Sequence, residues 1–74
     1  MTVVKLSQVD PTWYPFDYKI GDRVRSTIGS REVGTVIEGF HQSSRSSAFS
    51  ITYQIKKDDG LFFDAKQKEL EPAK

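Results

Sequence analysis

"FSITYQIKKDDGLFFDA", residues 49–65, decides how this chain is read. Phe49, Ile51, Tyr53 and Ile55 alternate with Ser50, Thr52, Gln54 and Lys56. Successive strand side chains point to opposite faces, so this run is a strand with one apolar and one polar face. Lys57-Asp58-Asp59-Gly60 follows, and Asp-Gly is a favoured pair for a type I′ hairpin turn. Leu61 to Ala65 is then the return strand.

Working outward, "KQKEL", residues 66–70, has room for one helical turn, and Leu70-Glu71-Pro72 closes as a short final strand. Upstream, Ile20-Gly21-Asp22 supplies a turn, and Val24 between Arg23 and Arg25 predicts a strand with the valine inward and both arginines outward. Glu32 to Phe40 is a β-branched-rich strand in which Gly34 and Gly39 are expected to mark a bulge or sharp bend. "HQSSRSSA", residues 41–48, reads as a polar loop. Residues 1–18 read as an N-terminal arm packing on the rest: Val3, Val4, Leu6 and Val9 suit a short edge strand, and Pro11 and Pro15 break anything longer. Five short strands in residues 19–72, separated by closely spaced turn signals, predict an all-β domain closed as a small five-stranded SH3-like barrel.

Composition narrows the function classes. A chain of 74 residues is one domain at most and buries only about 60% of its unfolded surface. With no cysteine and a single histidine, disulfides and thiolate metal sites are excluded, and no metal or cofactor is expected. Eleven Lys and Arg against ten Asp and Glu leave a net charge of +1, which argues against a dedicated nucleic-acid binder. The opening "MTVVKLSQVD" has no long apolar run, and no stretch approaches the ~20 apolar residues of a membrane span. A cytoplasmic, non-membrane domain is expected.

"IGDRVRSTIG", "VGTVIEG", "YQIKKDDGLFF" and "ELEP" together resemble the SH3-like barrels of KOW, Tudor and related bacterial domains, over residues 19–72. That resemblance implies binding of RNA, of ribosomal or polymerase partners, or of peptides. "GDRVR" is also similar to the opening of the ferredoxin-thioredoxin reductase variable chain, which implies a docking subunit, and to type II plasmid dihydrofolate reductase. The latter binds its ligands through a Val-Gln-Ile-Tyr segment, and Phe62-Phe63-Asp64-Ala65 stands in that place here. Without the glutamine and tyrosine, the reductase activity is not carried over.

Two clusters are candidate sites. Trp13, Tyr14, Phe16 and Tyr18 are either a plug that supplies core to a small domain or an exposed groove for a peptide or for stacked bases. If that stretch is extended, Tyr14, Phe16 and Tyr18 share one face and Trp13 lies on the other, the aromatic expected to be half exposed. Arg23, Arg25, Arg31, Arg45, Lys56 and Lys57 are either a convergent basic patch or a solvated surface neutralised by Asp22, Glu32, Glu38, Asp58 and Asp59. The loop around His41 has serines but no orienting acid, so no catalytic residues are assigned. The sequence therefore predicts a non-catalytic interaction module. Its first expected partner is another protein, held at a rim made by the arm, the serine-rich loop and the Asp58–Gly60 hairpin. RNA or DNA bound through Arg23, Arg25 and Arg45 is the alternative, and a type II reductase-like enzyme ranks third. An exposed sheet edge leaves both monomer and dimer open.

Overall fold

A computed structural model describes residues 2–10, 16–43 and 49–73. Among the described residues there are six strands: β1 (Thr2–Lys5), β2 (Arg23–Ser26), β3 (Val33–Ser43), β4 (Phe49–Lys57), β5 (Phe62–Lys66) and β6 (Leu70–Pro72). Two 3₁₀ turns, Leu6–Gln8 and Gln67–Glu69, complete the regular structure. All strand pairs are antiparallel.

The sheet is open, which corrects the barrel expected from the sequence. Its hydrogen-bonded path runs β5-β4-β3-β2-β6, and the two end strands do not pair with one another. Closure needs a continuous ladder between those ends. Instead β6 has three residues and ends on Pro72, which has no N–H to give, while among the described residues β5 pairs only with β4. The sixth strand also departs from the expected five. β1 pairs with the end of β3, Lys5 against Phe40 and Thr2 against Ser43, on the edge whose beginning carries β2. This pairing draws His41 and Gln42 into β3, although their composition reads as loop.

One face of the sheet is the core. Val24, Val36, Tyr53 and Ile55 are fully buried, joined by Leu6, Phe16, Ile51, Ala65 and Leu70. Each such aliphatic or aromatic side chain contributes about 1.5–3 kcal/mol by leaving water. The alternation read in residues 51–55 is the observed one, with Ile51, Tyr53 and Ile55 buried and Thr52 and Gln54 half-exposed.

The arm enters this core through Phe16 and Tyr18, whose rings meet Tyr53 edge-on at centroid distances of 6.1 and 5.4 Å. Trp13 and Tyr14 lie outside the described residues. The Tyr53 hydroxyl accepts the Asp17 N–H at 3.0 Å and the Tyr18 N–H at 3.3 Å, and hydrogen-bonds Gln67 Oε1. Gln67 Oε1 also accepts the Asp17 N–H at 2.8 Å. A buried hydroxyl without partners would be destabilising; this one is the knot that ties the arm to β4 and to the turn after β5.

Two local expectations are also corrected. The irregularity of β3 falls between Val36 and Glu38, not at either glycine. The β4–β5 turn is not type I′, which needs positive φ at both central residues. Here Gly60 alone among residues 58–60 has positive φ, +91°, and its N–H donates to the Lys57 carbonyl at 3.0 Å. Gly60 supplies the left-handed position of this three-residue loop, which a glycine enters without strain.

Candidate functional site

Strand register arranges the solvent face of the sheet in rows. Arg23 stands opposite Thr35, Thr35 opposite Lys56, and Lys56 opposite Phe62. At the usual strand spacing this row spans about 14 Å between its end Cα atoms. Glu38, Gln54 and Asp64 form the next described row, and Lys5, Phe40, Thr52 and Lys66 another. Arg25, beside Val33, faces Glu71 of β6.

Arg23, Arg25 and Lys56 therefore share one face, as their alternation requires. Two of the three are already engaged. Arg23 grips Asp58 through two bonds, at 2.7 and 3.1 Å, and its guanidinium also donates to Thr35 Oγ1 at 3.3 Å. The hydrogen bond from Arg23 and its charge hold the Asp58 carboxyl below the usual carboxylate range, and Arg23 is raised in return. Arg25 Nε lies 3.8 Å from Glu71. Lys57 bonds Glu32 at 3.0 Å, a contact that raises its pKa, and lies 3.9 Å from Asp59. Lys56 makes no ion pair among the described residues and is exposed.

Arg45 lies outside the described residues. Its described neighbours, Ser43 and Phe49, pair at the far end of the β3–β4 ladder from Thr35 and Lys56, about 25 Å along the strand. The Asp58–Gly60 hairpin sits at the Thr35 end. Along this ladder, the hairpin and the segment that carries the serine-rich loop are at opposite ends.

Leu61 and Phe62, expected only as parts of a return strand, are among the exposed large apolar side chains of the described residues. Leu61 is 60% exposed and Phe62 56%. The signal was available: with period two, adjacent Phe62 and Phe63 point to opposite faces, and one of them must meet water. Phe63 packs against the core. Phe62 is left on the outer face, beside Lys56 and on a strand with one edge unpaired among the described residues.

At the other end of β5, Asp17, Ser50, Ile51, Lys66, Gln67 and Lys68 line a cleft of about 360 Å³. Neither Lys66 nor Lys68 makes an ion pair among the described residues. No group of metal-ligating side chains is present among the described residues. No described helix is long and apolar enough to cross a membrane.

Comparison with known proteins finds no matching family model, no similar curated protein and no similar solved structure. Together with the open strand path, this overturns the likeness to the SH3-like barrels, to the reductase variable chain and to type II dihydrofolate reductase. The shared pieces are short: a Gly-Asp turn feeding a strand and an Asp-Gly hairpin are local solutions that unrelated sheets adopt for the same steric reasons.

Proposed function

We propose that this chain is a non-catalytic, cytoplasmic docking module that binds another protein at the outer face and free edge of β5. The observation that carries the reading is the exposure of Phe62 on β5, with exposed Leu61 just before it, on a strand whose outer edge has no partner among the described residues. A large apolar side chain exposed beside an open strand edge is a template for association, which native sheets otherwise guard against. The charge arrangement favours a protein over a nucleic acid. Of the two arginines expected to contact phosphate from β2, Arg23 is bonded to Asp58 and Arg25 lies 3.8 Å from Glu71, so acids stand within the basic patch. The absence of cysteine in the sequence suits a reducing compartment.

The test is selection from a random peptide library displayed on phage, with the Phe62→Ser chain as counter-target. Peptides that bind the native chain and not the folded variant are expected. If selection returns nothing dependent on Phe62, while a short RNA and DNA pool gives salt-sensitive amide shifts at Arg23, Arg25 and Lys56, the docking reading falls to a nucleic-acid one.

A further inference from the structure

The hydrogen-bond phase of the β4–β5 ladder identifies which backbone groups of β5 are open. The Lys57 N–H donates to the Leu61 carbonyl at 2.7 Å. Bonded and non-bonded pairs alternate in an antiparallel ladder, so Ile55–Phe63 and Tyr53–Ala65 are the bonded pairs that follow. Lys56–Phe62, Gln54–Asp64 and Thr52–Lys66 are the non-bonded ones. The main chains of Phe62, Asp64 and Lys66 therefore face away from β4. Lys66 agrees with this phase, because its N–H is taken by Glu69 Oε1 at 3.1 Å. Phe62 and Asp64 keep both their N–H and C=O groups directed to the open edge.

We infer that β5 receives an extended segment of a partner protein as an added antiparallel strand, with the pattern acidic-x-basic-x-apolar read from its N-terminus. This deepens the docking reading proposed above and rests on it. Side chains on the outer face of β5 run apolar, negative, positive through Phe62, Asp64 and Lys66. Neither Asp64 nor Lys66 has an ion-pair partner among the described residues. An antiparallel strand meets Lys66 first, then Asp64, then Phe62, so complementary side chains come in that order. The intervening partner residues fall beside Ala65 and Phe63 at the margin of the core, where small apolar groups fit.

A second copy of this chain is a poorer occupant. A two-fold antiparallel pairing centred on Asp64 sets that carboxylate directly against its own copy, and like charges facing across strands repel. The same register pairs Phe62 with Lys66 of the copy, whose N–H is already bonded to Glu69. In that register the edge is guarded against itself, and it is open to a strand of the complementary pattern.

The probe is the fluorescein-labelled peptide Ser-Glu-Val-Lys-Val-Phe-Ser, with a scrambled version and one N-methylated at its lysine as controls. Saturation with the probe is expected to slow hydrogen exchange at the Phe62 and Asp64 amides about tenfold or more, leaving Phe63 and Ala65 unchanged. Affinity is expected to fall about tenfold or more on N-methylation. The Asp64→Lys chain is expected to lose the probe and regain binding to a peptide with glutamate at the lysine position. Asp64→Pro removes the edge-facing N–H together with the carboxylate and costs no bond to β4, so a folded Asp64→Pro chain that binds the probe undiminished contradicts the inference. If library-selected peptides bind in a Phe62-dependent way without protecting these amides, strand addition is wrong and the docking reading stands. If no peptide binds at all, both fall. Amide protection that rises with protein concentration alone, alongside a sedimenting dimer, assigns the edge to a second copy instead.

Discussion

Tyr53 holds together parts of the chain that lie far apart in sequence. Its ring sits fully buried against Phe16 and Tyr18, while its hydroxyl serves Asp17, Tyr18 and Gln67. Tyr53→Phe keeps the ring and removes the acceptor of the half-buried Tyr18 N–H and a hydrogen-bond partner of Gln67 Oε1, while the Asp17 N–H keeps Gln67. A loss of about 1 kcal/mol is expected in chemical denaturation, since a partly buried donor left without its acceptor carries a desolvation penalty. A variant as stable as the native chain would mean that the arm is held by ring packing alone. Alternation in the sequence places Tyr53 inward, but it is silent about the hydroxyl, whose partners are 14 to 36 residues away. Gly60 is a simpler case. A Cβ there meets nothing within 4 Å, so the only obstacle to Gly60→Ala is its φ of +91°. A cost of about 1–2 kcal/mol from backbone strain is expected, read as a lowered thermal midpoint.

The glycines of β3 belong to the scale of strand against strand. Both were read as places where the strand bends, whereas the structure gives each a neighbour that needs its bare Cα. A methyl on Gly34 would lie 2.5 Å from Ile55 Cγ2 and 2.7 Å from the Lys56 carbonyl oxygen. On Gly39 it would lie 3.1 to 3.2 Å from Leu6 and Phe16. Gly39→Ala is expected to cost about 1–3 kcal/mol through overpacking, because side chains can shift by a few tenths of an ångström. Gly34→Ala should be the more damaging of the two, since the β4 backbone is in the way. Urea midpoints in the reverse order would contradict this account. The end of β3 is further tied by Glu38, which accepts the Ser7 N–H at 2.9 Å and the Ser7 hydroxyl at 2.7 Å. Burial raises the pKa of this carboxyl, and the bonds from Ser7 and Gly39, with Lys5 nearby, outweigh that and bring it below the ordinary value. None of this is legible in residues 32–40 alone, because the groups in contact come from β1, the arm and β4.

At the scale of the whole molecule, alkaline titration reports how well the arm stays docked. Burial pushes the Tyr53 pKa from 10.0 up to about 12, and burial with the charges of Asp17 and Glu71 raises that of Tyr18. The folded chain therefore keeps phenolic protons that the unfolded chain releases. Stability from this source is fully present below pH 10.0 and is lost as pH rises toward about 12. Urea midpoints should fall across that window, and Tyr53→Phe should make the decline shallower. An equal slope in both chains would place the titration elsewhere. The sequence by itself determined the all-β class, the inward set Val24, Ile51, Tyr53 and Ile55, and the outward arginines. These follow from side-chain alternation, which is a property of a single strand. Only the tertiary structure decided that the sheet ends open, that β1 adds a sixth strand, that Arg23 meets Asp58 and Arg25 lies near Glu71, and that β5 has an edge without a partner among the described residues. Those outcomes depend on which strands become neighbours and in what register, and both are fixed by long-range burial of one shared apolar face.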